Sequence, residues 1–267
     1  MRKIAIAAAL SAALITTGCV QTTGSSAAGV NRSQMMLVSS ESVNAQAVTA
    51  YDEVISKARA AGKLNNDLKL YNRIQNISKR LIAQAPALRP DSANWDWQVN
   101  VIDEDILNAW CMPGGLIAVY SGLVNDLDLT DDEIAVVVGH EICHALREHS
   151  REQASQQVIT EGAAMVAQLF GVSSAVTDLG KQAVNIGVTL PFSREHETEA
   201  DELGLELCYR AGFDTDAAVE LWTKMMKMST GSTIELLSTH PSDESRIANL
   251  RTLSMHLKGS NLQPVKD

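Results

Sequence analysis

Thr130-Asp131-Asp132-Glu133-Ile134-Ala135-Val136-Val137-Val138-Gly139-His140-Glu141-Ile142-Cys143-His144 is the stretch that decides the fold. Thr130 is an N-cap residue type, and Glu133 three positions on completes a capping box. Asp131 and Asp132 fall in the first turn, where carboxylates suit the helix dipole. Residues 134–139 are apolar almost all round, as in a buried helix. The stretch ends on His140-Glu141-Ile142-Cys143-His144, an HExxH sequence. One helical turn separates its histidines, so both imidazoles leave the same face and can reach one metal ion. Glu141 beside them can take a proton from a water activated by that metal. The alternative is a core helix with two hydrogen-bonded histidines. After His144 the chain turns polar, with Arg147, Glu148, His149 and Arg151, so a helix over about 131–148 brings the metal-binding turn toward the surface. His149 falls off the ligand face and suits a role at the helix C-terminus, where a histidine complements the dipole.

A hydrolytic zinc takes three protein ligands and keeps one position for water. The third ligand should lie downstream, and His196-Glu197-Thr198-Glu199-Ala200-Asp201 offers it. A second helix is predicted over about 193–209, with Ser193 as N-cap and Gly212 just past its end. Glu197 and Asp201 are four apart and share a face. The working division puts Glu197 on the metal and Asp201 behind it, holding a ligating histidine by its other ring nitrogen. Glu195 and Glu199 lie away from that stripe and are expected on a solvated face. His196 reads as a ligand or a surface residue, and the spacing favours the surface.

The pair HExxH plus Glu197-Thr198-Glu199-Ala200-Asp201 resembles the HtpX/CaaX-prenyl-protease group of zinc metallopeptidases. Asn108-Ala109-Trp110-Cys111-Met112-Pro113-Gly114-Gly115, running into 116–123, is similar to the strand-turn-strand before the metal helix in that group. His240-Pro241-Ser242-Asp243-Glu244-Ser245-Arg246 is similar to its C-terminal HPxxxxR element. These segments span about 95–255 in the family's order, and the chain is most like the small periplasmic lipoprotein members. Cys143 departs from the pattern, standing where the family has Gly or Ala. The resemblance implies a mainly helical, zincin-like domain with a short sheet beside the metal helix. It implies one Zn2+ per chain held by His140, His144 and Glu197, and endopeptidase activity with Glu141 as general base. It makes His240 a candidate oxyanion donor or reversible occupant of the open zinc position; the alternative is a loop histidine before a proline. Arg246 would orient the site through carboxylate hydrogen bonds. Polypeptides, above all unfolded or misassembled envelope proteins, are the implied substrates.

Arg2-Lys3 and the apolar stretch 4–15 read as a signal peptide, too short for a membrane span. Thr16-Thr17-Gly18-Cys19 resembles a bacterial lipobox, which would make Cys19 a lipidated N-terminus; the alternative is an ordinary secretory signal with a chance cysteine. Val20, rather than Asp, follows Cys19, which looks like outer-membrane sorting in a Gram-negative periplasm. Residues 21–47 are rich in Ser, Thr, Ala, Gln and Asn and read as a flexible stretch. The expected organisation is a leader over 1–18, a lipid-anchored tether over 19–47 and a metallopeptidase domain over 48–260. The formal charge of −10 becomes −12 when Arg2 and Lys3 leave with the leader, which argues against nucleic-acid binding. Three cysteines then remain, Cys111, Cys143 and Cys208, an odd number that leaves at least one unpaired. Buried free thiols are the default reading, and a Cys143–Cys208 bridge is the alternative.

Further helices are predicted at about 45–61, 66–85, 215–229 and 242–256. Residues 95–101 alternate strictly and predict a strand, with two more near 106–110 and 115–119 around the Pro113-Gly114 turn. The Ala/Gly/Val-rich stretch 154–190 reads as a core helix pair, with a helical hairpin that covers the cleft as a lid or touches the membrane surface as the alternative. Helices, a short sheet, then helices argue for an α+β fold. Strand 115–119 is expected to border the cleft and to accept substrate as an added strand. Two other classes remain open: a periplasmic chaperone or assembly-factor lipoprotein with a latent zinc site, and a structural lipoprotein in which His240 or Cys143 closes a four-ligand site.

Overall fold

Helix α1 (Ser40–Ala60) and helix α2 (Leu68–Leu88) open the body of the molecule, seen in a computed structural model that describes residues 19–169, 191–228, 234–240 and 244–265. Asp67 caps α2 by accepting from the amides of Lys69 and Leu70. The stripe Leu70, Ile74, Ile77, Leu81 and Leu88 then recurs at helical spacing and is buried.

Two short strands, β1 (Cys19–Val20) and β2 (Gln34–Met35), precede α1, and a three-stranded sheet of β3 (Gln98–Ile102), β4 (Ala109–Met112) and β5 (Leu116–Tyr120) follows α2. β5 is central, parallel to β3 with Val99 opposite Ile117, and antiparallel to β4 with Cys111 opposite Ile117. Its side chains alternate between two cores. Leu116 and Ala118 face Tyr51 and Ile55 of α1, whereas Ile117 and Val119 join the main core with α2. Gly114 and Gly115 close the β4–β5 turn with φ of 88° and 89°. A Cβ on Gly115 would also lie 2.7 Å from the Trp97 ring.

The sheet corrects two expectations. The alternating stretch 95–101 becomes a strand only from Gln98, because Pro90–Asn94 winds a 3-10 turn before it. Trp95 and Trp97 stack on each other instead at 5.2 Å, and the Trp97 indole donates to the Ser92 carbonyl. The central position of β5 also rules out strand 115–119 as the edge for an added strand. β3 is flanked by an isolated bridge from Leu64 to Ile102. β4, which packs against the metal helix, has no second strand partner among the described residues.

Beyond the sheet come α3 (Ser121–Asp126), α4 (Asp131–Leu146), α5 (His149–Leu169), α6 (Arg194–Arg210), α7 (Ala217–Met228), α8 (Glu235–Thr239) and α9 (Glu244–Lys258). The α+β reading holds, with helices dominating. Thr130 and Glu133 form the reciprocal capping box at the start of α4. Ser193 caps α6 by accepting from the His196 amide. The metal helix is shorter than predicted: α4 stops at Leu146, and Glu148 at φ 53° turns the chain into α5. Of the stretch 154–190, residues up to 169 continue α5, and the rest lies outside the described residues. Among the described residues no helix is long and apolar enough to cross a membrane.

α4 and α6 meet backbone to backbone. A Cβ on Gly204 would fall 2.9 Å from the His140 amide nitrogen, and one on Gly139 would fall 2.9 Å from Cys208 Sγ. Only glycines allow that approach. Cys111, Cys143 and Cys208 are buried free thiols.

The stretch 19–47 departs from the tether reading. β1 (Cys19–Val20) pairs antiparallel with β2 (Gln34–Met35), and α1 already begins at Ser40, capped by Ser39. Between them the chain crosses several helices. The Gly24 amide donates to the Leu88 carbonyl at 2.8 Å, the Ala28 amide to Glu206 at 3.0 Å, and the Leu37 amide to Ser155 at 2.9 Å. Polar composition suggested flexibility; here the polar groups serve as partners for buried charges.

Candidate metal centre

The close α4–α6 packing sets His140 and His144 opposite Glu197 and Asp201, all buried or nearly so. The two histidine Nε2 atoms are 3.0 Å apart. Glu197 Oε2 lies 3.5 Å from His140 Nε2, and Glu197 Oε1 lies 3.4 Å from His144 Nε2. Donors about 2.0–2.1 Å from a tetrahedral zinc stand roughly 3.3 Å from one another, so this triangle has the right size. Glu141 Oε1 is buried and makes no hydrogen bond, whereas Glu197 Oε2 has the Arg246 guanidinium at 3.0 Å. An orphaned carboxylate oxygen such as that of Glu141 is costly unless a cation or water satisfies it. The donor set therefore fits a divalent metal.

His240 joins the same cluster. Its Nδ1 is 2.8 Å from Glu197 Oε1 and 3.2 Å from His140 Nε2, and its Nε2 is 3.4 Å from Glu141 Oε1. One donor atom each from His140, His144, Glu197 and His240 falls within 4.8 Å of all the others.

The outer partners fix the rings. Asp201 Oδ1 lies 3.0 Å from His140 Nδ1, which leaves Nε2 as the metal-facing atom when Nδ1 carries the proton. Asp201 is gripped by Arg246, which donates from Nε at 2.7 Å and from Nη2 at 2.8 Å. Arg246 also reaches Glu197 Oε2 at 3.0 Å and stacks over Trp222 at 3.6 Å. Burial works to raise the Asp201 carboxyl, but the Arg246 charge and the hydrogen bonds of His140 and Arg246 outweigh it and hold the pKa below its ordinary value. Glu141 goes the other way. Burial raises its pKa, offset only in part by His240 and His140, which suits a group that must accept and return a proton.

Three side chains lie where the sequence did not place them. His149 is fully buried, with Nδ1 2.9 Å from His144 Nδ1 and Nε2 3.0 Å from Glu199 Oε2. Extending α4 as one helix puts this residue off the ligand face; the left-handed Glu148 breaks the helix and swings the imidazole back. Glu199 is buried rather than solvated, because Arg147 and Arg32 both bind it. His196 is buried rather than superficial, stacked on His149 at 4.4 Å with Nε2 3.2 Å from Glu152. Glu195 is exposed, as expected. Burial pushes the pKa values of both His144 and His149 down, favouring neutral rings. Nothing in the sequence marks Glu148 as a left-handed position. The available signal was that Arg147, His149 and His196 offer cationic or donor partners to Glu152 and Glu199, since buried charges occur in pairs.

A cleft of about 760 Å³ runs between α6 and α9, bordered by Phe192, Thr198, Asp201, Arg246 and Leu253.

Comparison with known proteins agrees with this architecture. A mitochondrial metalloendopeptidase OMA1 of Arabidopsis thaliana is 34% identical over 169 residues, covering 63% of this chain and 34% of that protein. The OMA1 of Schizosaccharomyces pombe is 32% identical, covering 66% of this chain and 51% of its own. The chain thus spans a third to a half of the length of these curated relatives. Metalloprotease YcaL of Escherichia coli is 28% identical over 258 residues, covering 93% of this chain and 96% of that protein. The model of peptidase family M48 matches residues 69–254, from the start of α2 to near the end of α9, and so takes in every side chain of the cluster. With that span matched and the HExxH helix set against its acidic partner helix, the chain belongs to peptidase family M48.

Proposed function

We propose that this chain is a zinc metalloendopeptidase of the HExxH-plus-ExxAD type, acting on unfolded or misassembled proteins of the bacterial envelope. The observation that carries the reading is the convergence of His140 Nε2, His144 Nε2 and Glu197 beside a buried Glu141 whose Oε1 has no hydrogen bond. His140, His144 and Glu197 would hold one Zn2+ per chain. Bound there, zinc supplies Lewis-acid chemistry that acidifies water and polarises a peptide carbonyl. Glu141 takes the proton of the attacking water, and delivers it to the amine as the C–N bond breaks. Asp201 and Arg246 keep His140 in the tautomer that presents Nε2. A substrate backbone would pair with the outer edge of β4, giving affinity without a required sequence. Side chains would enter the α6–α9 cleft.

Location follows from the leader. Cys19 would carry the lipid, placing the body in the periplasm at the outer membrane of a Gram-negative bacterium. Another relative, the beta-barrel assembly-enhancing protease of Escherichia coli, is 26% identical over 226 residues. Its name joins proteolysis to β-barrel assembly and supports an envelope substrate class.

The position of His240 inside the donor cluster favours a second reading, in which four protein ligands close the resting site and the protein acts as a chaperone or assembly factor until His240 leaves. The test pairs the purified protein with its Glu141→Gln and His240→Ala variants, measuring zinc content and casein cleavage. Near one zinc in the wild type and Glu141→Gln, with cleavage in the wild type alone, supports the peptidase. Cleavage that appears only in His240→Ala supports the latent site. Absence of zinc from all three sinks the metal assignment.

A further inference from the structure

The N-terminal stretch brings one cation to the back of the metal site. Arg32 donates from Nε to Glu199 Oε1 at 2.8 Å and from Nη2 to Glu199 Oε2 at 3.1 Å. Its Nη1 and Nη2 reach the Glu152 carboxylate at 2.5 and 2.8 Å. Arg147 grips Glu199 from the other side, with Nε at 3.1 Å and Nη2 at 3.0 Å, and its Nη2 also donates to the Arg32 carbonyl. Gln34 ties the same stretch to Glu152 and to the Arg147 carbonyl, both at 2.7 Å. Glu199 is therefore held from two sides, once by Arg147 at the end of α4, 52 positions away, and once by Arg32, 167 positions away.

We infer that Arg32 is a positioning residue for the metal, acting through Glu199 and His149 on the ring of His144. With His144 Nε2 free to hold a metal, its Nδ1 carries the proton, and the hydrogen-bond directions then leave one consistent arrangement. Glu199 is an acceptor only, so His149 Nε2 must donate to it. A neutral His149 then has a bare Nδ1, which accepts from His144 Nδ1–H. His144 Nε2 is left with its lone pair facing His140 and Glu197, where a metal would sit. His140 reaches the same state through one carboxylate, Asp201. For His144 the carboxylate is one imidazole further away, and its orientation depends on the Arg32 and Arg147 forks. Arginine suits this task because its planar donors fix both carboxylates in a bidentate geometry that a lysine cannot reproduce.

This inference rests on the metal site proposed above. The test uses the full chain and measures zinc affinity by chelator competition, together with the visible absorption of the cobalt-substituted protein, which reports ligand geometry. Loss of outer partners of metal-binding histidines lowers affinity on the order of 10–100-fold. Glu199→Gln should fall in that range, and Arg32→Ala should lose roughly tenfold with a shifted cobalt spectrum. Arg32→Lys, which keeps the charge without the fork, should fall between Arg32→Ala and the wild type and provides the readout if Arg32→Ala does not fold. Arg80→Ala removes a distant guanidinium stacked on Phe213 and donating to the Ala211 carbonyl, and should leave the cobalt spectrum unchanged. Zinc in the wild type with unchanged affinity and spectrum in both Arg32 variants would overturn the inference alone. A wild type that binds no zinc would overturn the metal site and this inference with it.

Discussion

Gly204→Ala sets two known effects against each other with opposite signs. Alanine in a helix interior is better than glycine by roughly 1 kcal/mol, so propensity alone makes the variant more stable. The structure gives the opposing effect. The new Cβ would lie 2.9 Å from the His140 amide nitrogen and 3.0 Å from its Cα, against 3.4–4 Å for an ordinary contact. These are backbone atoms of α4, and they cannot swing aside as a side-chain tip can. Relief requires α4 and α6 to part by about 0.5–1 Å, and overpacking of this kind costs about 1–3 kcal/mol. The net expectation is roughly 1 kcal/mol of destabilisation, or a Tm lower by about 2–4 °C for a chain of this size. The parting also stretches the His140–Glu197 edge of 3.5 Å, whereas metal distances tolerate only about 0.2 Å. Zinc affinity should fall by roughly tenfold or more. Calorimetry and chelator competition on the same preparations read both effects. A variant with raised Tm and unchanged affinity would refute the reasoning, since propensity would then have acted without a clash. Gly139→Ala meets Cys208 Sγ first, so Cys208→Ala should rescue part of its loss, and no such partner exists for Gly204.

Arg246→Lys keeps a charge but loses the double hydrogen bond to Asp201, and should weaken zinc binding by roughly tenfold; equal affinity would refute the role given to that fork. Glu152 titrates below its ordinary value, because hydrogen bonds from Arg32, His196 and Gln34 outweigh the effect of burial. Its contribution to stability is complete above the unfolded pKa of about 4.3 and is lost as pH falls below it. The acid limb of a stability–pH curve should flatten in Arg32→Ala, and an unchanged limb would count against the assignment. Burial raises the thiol pKa values of Cys143, Cys208 and Cys111, so a thiol reagent at pH 8 should reach them only after denaturation. Rapid labelling of the native protein would contradict that burial.

The capping box at Thr130, the cap at Ser193 and the two ligand helices were legible because each rests on local chemistry within one or two turns. Glu197 and Asp201 could be paired on one face for the same reason. What was not legible depends on single backbone departures and on distant partners. One left-handed residue, Glu148, moves His149 from the edge of a helix to the ring of His144. Residues 21–39 look flexible by composition, yet their hydrogen bonds go to residues numbered 88, 147, 152, 155, 199 and 206. The alternation of 95–101 is real, but Pro90 and the Trp95–Trp97 stack take its first half. Strand order, which decides that β5 is central, is not encoded in the pattern of any one strand.

The route of the N-terminal stretch also bears on the order in which the molecule assembles. Its partners include Glu206 of α6 and, through the Ala27 carbonyl, His256 of α9. Contacts this distant in sequence close the largest loops in the chain and form slowly. The stretch 19–39 therefore finds its place only after α9 is made. Until then Glu199 has Arg147 but lacks Arg32, and the back of the metal site stays open to water. A chain that opens first by releasing this stretch would reverse the sequence, loosening the metal before the core of α2, α4 and α6 comes apart.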